Sequence, residues 1–255
     1  MTYKRSTLNI LSALIDKYHI LGILRGIYIY SKPIKSLYSY IFLRPIKVNK
    51  IGVKYKRKIN FDVTSLDDLI TIHEIFCRRD YYAPYDAKVI VDFGSNIGVS
   101  SIFFHISAPN AKIFLYEPDK RNISVMKKNL ERFDFDYELN EIAVTPNTDG
   151  FVSFGISGSG RYGGVGLDTG NTIEVPARKA STILKEIIDK YGFIDVIKID
   201  VENLENEILS SFEPLILSKI KIMFIEFPKN IRPEINGFSM TYIGQVCCYK
   251  NKEFL

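Results

Sequence analysis

Val89-Ile-Val-Asp-Phe-Gly-Ser-Asn-Ile-Gly-Val-Ser-Ser-Ile-Phe-Phe104 is the stretch that decides the fold. Val89 to Val91 form a short apolar run that stops at Asp92. Gly94, Asn96 and Gly98 then make a tight turn, and an apolar segment of helical length follows. That order specifies a buried strand, a glycine turn and a helix N-terminus, the place where open α/β sheets hold nucleotide-like ligands. The next apolar run, Ala111–Tyr116, ends in Glu117, 25 residues after Asp92. A carboxylate at a second strand tip is placed to accept hydrogen bonds from ribose hydroxyls. A dinucleotide fingerprint GxGxxG starting at Gly94 is excluded, because it needs glycines where Asn96 and Val99 stand.

The turn reads D-x-G-x-N-x-G instead. With Glu117-Pro118-Asp119, Asn140-Glu-Ile-Ala-Val144 and Ile194-Asp-Val-Ile-Lys-Ile-Asp-Val-Glu202 following in order, it resembles the FkbM family of methyltransferases. The resemblance covers Leu66 to Phe227. Ser95 stands where the family usually has Ala, and Asn203 where it has Gly; Asn tolerates a left-handed backbone better than most residues.

The resemblance implies a Rossmann-like class I methyltransferase that uses S-adenosyl-L-methionine to O-methylate a hydroxyl of a sugar or glycoconjugate. A lipid or polyketide hydroxyl, or a non-catalytic cofactor-binding scaffold of the same fold, are the alternatives. Cofactor contacts fall on Asp92, Gly94, Asn96, Gly98, Glu117, Glu141 and Ala143. Asp92 has two readings, as a partner of the cofactor ammonium or as the residue that orders its own loop. Asp200 and Glu202 are the catalytic candidates, able to orient or deprotonate an acceptor hydroxyl or to share a divalent cation. Lys198, two residues before Asp200 on one strand face, pairs with it in this reading. The stretch Gly155–Gly166 carries six glycines and reads as a lid or a plain surface loop, with Arg161 and Tyr162 as substrate contacts. Tyr81 and Tyr82 read as pocket wall.

Around these motifs, strands alternate with helices, which implies a doubly wound, mostly parallel sheet. Strands are expected at 88–92, 112–117, 137–142, 194–199 and 220–226, and helices at 97–107, 120–133, 181–191 and near 204–211. Strand-like segments lie at 151–156 and 172–177. A strand pair at 51–63 and a helix at 66–78 come before the core, and residues 238–250 hold one or both strands of a closing hairpin.

With 255 residues and 46% hydrophobic content, the chain has ample material for a packed core. Cys77, Cys247 and Cys248 make no disulfide framework, and adjacent Cys247 and Cys248 would point to opposite faces of a strand; reduced thiols and a cytoplasmic setting fit best. His19, His73 and His105 form no zinc-ligand spacing, so no metal is expected from them.

Charge divides the chain in two, with a basic extension at 1–58 and the methyltransferase-like domain at 59–255. Residues 1–58 hold thirteen Lys or Arg against Asp16 alone, a net +12, so a total of +5 leaves −7 for the rest. Thr7–Tyr30 reads as an amphipathic helix with Leu8, Leu11, Leu14, Ile15, Tyr18, Leu21 and Leu24 in a stripe, ended by Pro33. No apolar run is long enough to span a membrane, and no small-residue cleavage site suggests a signal peptide. Peripheral membrane contact and packing on the body, or on a second subunit, are the two readings of this segment. Nucleic acid is not an expected partner: no binding motif accompanies the basic residues.

Overall fold

The computed structural model describes residues 16–45, 48–156, 163–167, 169–228 and 231–254. Two short helices come first, α1 (Lys17–Ile29) and α2 (Pro33–Phe42). Asp16 caps α1, its carboxylate accepting from the backbone N–H groups of Tyr18 and His19. Among the described residues the helix expected from Thr7 occupies 17–29, and the earlier part of that expectation lies outside them. Helix α2 was not expected. Pro33, read as a terminator, sits in its first turn, where the missing N–H costs nothing and the fixed φ is already helical.

A tight hairpin follows, β1 (Lys50–Tyr55) and β2 (Arg57–Asp62). The 58/59 division between extension and domain falls inside β2. Helix α3 (Leu66–Ile72) starts at a capping box of Ser65 and Asp68 and continues as a π-helical turn, His73–Arg78.

The core elements then run β3 (Val89–Phe93), α4 (Val99–Ser107), β4 (Lys112–Tyr116), α5 (Lys120–Leu130) and β5 (Tyr137–Asn140). Next come β6 (Ala143–Thr145), β7 (Gly150–Gly155), β8 (Gly164–Val165) and β9 (Thr172–Lys179). Helix α6 (Ala180–Tyr191), β10 (Ile194–Ile199), α7 (Glu205–Ser210), α8 (Pro214–Ser218), β11 (Ile220–Glu226), β12 (Phe238–Ile243) and β13 (Val246–Asn251) complete the described chain.

Seven strands form the central sheet in the order β12-β13-β11-β10-β3-β4-β5. β5, β4, β3, β10 and β11 are parallel; at one edge β13 runs antiparallel to β11, and β12 antiparallel to β13. The architecture is the doubly wound, Rossmann-like α/β fold, and residues 238–250 supply both strands of the closing hairpin. Strands 151–156 and 172–177 do not join this sheet. They pair with each other as β7 and β9 in a second, four-stranded sheet ordered β6-β9-β7-β8.

Both faces of the central sheet are covered, which is why its strands read as nearly unbroken apolar runs. Ile90, Ile113, Val196 and Phe224 face α4, the β1–β2 hairpin and the N-terminal helices. Val91, Phe114, Ile197 and Ile225 face α6 and its neighbours. Cys247 and Cys248 fall into these two opposite cores, as their adjacency requires. All three cysteines are buried free thiols.

Helix α1 lies on the π-helical turn, with Gly22 close to His73 and Arg78 and Gly26 close to Leu37 of α2. The Arg25 guanidinium donates to the carbonyls of Cys77 and Arg78 at 3.2 and 3.3 Å. The Tyr40 ring stacks on His73 at 3.7 Å, and burial pushes the His73 imidazole down to about 3, leaving it neutral. The stripe found by spacing is therefore not the packing face: Leu21 and Leu24 point to solvent. Among the described residues no helix is long and apolar enough to cross a membrane.

Candidate functional site

A cavity of about 470 Å³ opens at the carboxyl ends of β3, β4, β10 and β11. It sits where the strand order reverses between β3 and β10, the position at which open α/β sheets bind ligands.

The loop after β3 is one wall. Gly94 and Ser95 both donate their N–H to the Tyr116 carbonyl at 3.0 Å, and the Ser95 hydroxyl donates to the Asp92 carbonyl at 2.8 Å. That hydroxyl also accepts from the Tyr116 N–H at 3.1 Å, so the Ser at the family's usual Ala position ties the loop to β4. Gly94 (φ 79°) has to be glycine, because a Cβ there would lie 1.8 Å from the Asp200 carbonyl oxygen. Gly98 caps α4 and packs against Met126 without lining the cavity.

Glu117 lines the cavity yet is almost fully buried. One carboxylate oxygen accepts from the Asn96 N–H at 2.9 Å; the other accepts from the Asp119 N–H at 2.9 Å and the Asn122 amide at 3.2 Å. Desolvation outweighs these donors and raises its pKa to about 7. Ala143 lies on the same side with Ile142 and Val144.

Asp92 and Glu141, like Gly98, do not line the cavity. Asp92 is fully buried beneath the loop; one oxygen accepts from the Ser100 and Ser101 hydroxyls at 2.7 and 3.0 Å. The loop-ordering reading of Asp92 is thus the one its contacts match. Glu141 is exposed, because β5 ends at Asn140 and its carboxylate turns out to Lys127 at 2.7 Å. It does not line the cavity, which corrects its assignment to the cofactor set.

Lys198 links the two strand tips. The register of β3 and β10 sets it opposite Asp92. Its ammonium lies 3.2 Å from a carboxylate oxygen of Asp92 and 3.2 Å from one of Asp200, and it donates to the Gly94 carbonyl at 2.9 Å. Burial lowers the pKa of Lys198, but Asp200 and Asp92 outweigh it and the net shift is upward, so the side chain stays charged. Asp200 keeps 28% of its side chain exposed, on the cavity side. Glu202 lines the cavity from the turn after β10, where both Glu202 (φ 62°) and Asn203 (φ 69°) are left-handed. The turn written with glycine in the family thus persists here with Asn.

The opposite wall is built by residues 43–81, among them Leu43, Leu66, Glu74, Arg78, Asp80 and Tyr81. Arg78 holds Asp80 through Nε at 2.6 Å and lies 3.4 Å from Glu74. Desolvation raises the Asp80 pKa to about 7 despite this pairing. Tyr81 lines the cavity and packs edge-on against Phe224; Tyr82 packs on Phe224 without reaching the cavity. His105 stacks on Phe135 at 4.5 Å, away from the site. Sequence reasoning missed the Glu74–Arg78–Asp80 cluster, whose available signal was the i,i+4 spacing of Glu74 and Arg78. Arg161 and Tyr162 lie outside the described residues. Among the described residues no group of three or more His, Cys, Asp or Glu side chains is placed to hold a metal ion.

An open α/β sheet with a glycine loop after β3 and an acid closing β4 is a doubly wound, Rossmann-like fold, the class that holds ligands at its strand tips. Residues 92–247 match the methyltransferase FkbM domain, and the chain belongs to that family. AMB antimetabolite synthetase AmbE of Pseudomonas aeruginosa is 24% identical over 193 residues, which cover 62% of this chain but 9% of that protein. Among solved structures, a putative caffeoyl-CoA O-methyltransferase from Staphylococcus aureus is 14% identical, with 91% of this chain and 98% of that one covered at a TM-score of 0.42. A methyltransferase from Geobacter sulfurreducens is 12% identical, with 66% and 72% covered at a TM-score of 0.36. Overlays this loose add nothing to the family match.

Proposed function

We propose that this protein is an S-adenosylmethionine-dependent methyltransferase that methylates a hydroxyl of a sugar or glycoconjugate. The observation that carries the reading is the bridge Asp92–Lys198–Asp200, which fixes one carboxylate at the cavity surface beside the glycine loop.

The residues present suit that cofactor. Glu117 is a desolvated acceptor facing the cavity, and its raised pKa marks a carboxylate that gains from further donors such as a ribose diol. Gly94 and Asn96 line the cavity and would set the loop against the amino-acid end of the cofactor, their own N–H groups being held by Tyr116 and Glu117. Ala143, a small side chain on the cavity wall, would lie beside the adenine. When bound, the cofactor supplies a methyl group on a sulfonium, whose thioether leaves without needing a proton.

The protein's remaining work is at the acceptor. Asp200, held by Lys198, accepts the hydrogen bond of the attacking hydroxyl and takes its proton as the oxygen–carbon bond forms. Lys198 keeps that carboxylate in one orientation, and orientation of the oxygen in line with the transferred carbon is worth several kcal/mol. The carboxylates of Glu74, Asp80, Glu202 and Glu226 around the cavity are hydrogen-bond acceptors suited to a ligand rich in hydroxyl donors.

Titration calorimetry with S-adenosylhomocysteine tests the cofactor, and incubation with methyl-labelled cofactor and a glycan extract tests the acceptor. Binding, with label in glycan, is the expected result. Absence of binding refutes the cofactor reading; label confined to protein or nucleic acid refutes the acceptor reading.

A further inference from the structure

The N-terminal helical hairpin leaves a large apolar face uncovered. On α1, Ile20, Leu21, Leu24, Ile27 and Tyr28 are all exposed, at three- and four-residue steps along one side. On α2, Ile34, Tyr38 and Phe42 form a second row at four-residue steps. Ile34 is 87% and Tyr28 80% exposed, so neither contributes appreciably to the fold's own core. The helices hold to the body by their other sides, through Gly22, Gly26, Leu37 and Tyr40. Exposed apolar rows on both helices of a pair that is already anchored mark an interaction surface.

Charge selects the occupant. Lys17, Lys32, Lys35 and Arg44 are exposed on the same hairpin, and the one acid in residues 16–45, Asp16, is used as the helix cap. Residues 1–15 add Lys4 and Arg5 and no acid. Lys32 and Lys35 line one shallow depression with Ile34 and Tyr38, and such apolar groups beside cations, with exposed tyrosines among them, match the boundary of an anionic bilayer, where apolar groups enter the acyl region and lysines meet headgroups. A two-fold dimer through this face would set the same four cations against their own copies.

We propose that the α1–α2 face docks the protein on an anionic lipid surface. The hairpin also contributes Leu43, the residue after α2, to the cavity wall, so docking would bring the cavity to the membrane with it. This inference is independent of the reaction assigned to the cavity.

The test is co-sedimentation of the full chain with vesicles of phosphatidylcholine mixed with phosphatidylglycerol, and with pure phosphatidylcholine vesicles, in low and high salt. Binding only to the mixed vesicles, and release by salt, are expected. Lys32→Gln with Lys35→Gln should weaken binding by about 10- to 30-fold. Leu24→Ser with Ile34→Ser and Tyr38→Ser should weaken it by more than about 10-fold at an unchanged melting temperature. Failure of the wild-type chain to sediment with either vesicle overturns the proposal, as does undiminished binding by the lysine pair variant, which removes no packed group. A lipid-free dimer in sedimentation velocity that the triple variant dissociates also overturns it, because the face would then be an interface between copies.

Discussion

Replacing Gly94 with Ala tests the closeness of the glycine loop to the acceptor-side strand. The residue sits at φ 79°, and an alanine there pays roughly 1–2 kcal/mol for the left-handed backbone. Its Cβ would also lie 1.8 Å from the Asp200 carbonyl oxygen. Restoring a carbon–oxygen contact of about 3.3 Å requires the loop and β10 to part by about 1.5 Å. Both partners are backbone, so the overpacking cost falls near the upper part of the usual range, about 2–3 kcal/mol. The total loss should be about 3–5 kcal/mol. Gly237 is the control: its φ is 83°, but a Cβ there meets nothing within 4 Å. Gly237→Ala should therefore lose about 1–2 kcal/mol from backbone strain alone. Urea denaturation of both variants at matched m-values measures the difference. Separation of the strands also strains the bond from the Asp200 N–H to the Phe93 carbonyl, so Gly94→Ala should lose turnover along with stability. Equal stability losses in the two variants would refute the close approach and the geometry built on it.

Three further outcomes are expected. Glu117, with a folded pKa of about 7 against an ordinary 4.5, binds its proton more tightly folded than unfolded. Its contribution is thus fully present below about pH 4.5 and is lost as pH rises through 7, a change of about 3 kcal/mol. Wild type minus Glu117→Gln, compared by denaturation across that window, should show the slope; Asp80 adds to the wild-type slope in the same sense, and His73, held neutral in the fold, opposes it. Lys198→Met strands Asp92 and Asp200 and should cost about 3–5 kcal/mol by urea denaturation, with Asp92→Asn in the same chain recovering part of it. Asp200→Asn should lower kcat by about 10²- to 10⁴-fold while leaving S-adenosylhomocysteine affinity nearly unchanged in calorimetry; equal losses in both would assign Asp200 to binding.

Much of this architecture could be read from the chain, and the exceptions share a physical cause. β10 and β11 begin and end where their apolar runs do, because a strand buried on both faces leaves no ambiguity of period. Pairing of Lys198 with Asp200 followed from alternation along one strand. Its second pairing, with Asp92, depends on the register between β3 and β10 and has no local signature. The same holds for the side sheet, where β7 and β9 read correctly as strands but their partners did not. On α1 the apolar spacing identified a face without saying which side of the helix meets the protein. The packing side uses Gly22 and Gly26, which carry no hydrophobic signal and succeed because they let α1 come close to His73 and Leu37. Glu141 enters the cofactor set through the resemblance of Asn140–Val144 to the family pattern, whereas the end of β5 one residue earlier turns it outward.

The wall of the cavity facing the glycine loop comes from residues 43–81, all of them before the segment 92–247 that defines the family. One stretch of chain therefore carries the loop, Glu117 and Asp200, and a separate one completes the enclosure around them. Leu43, Leu66, Ile70 and Thr71 can change without touching the Asp–Lys–Asp bridge, so the front of the chain can vary the size and polarity of the cavity while the strand tips stay as they are.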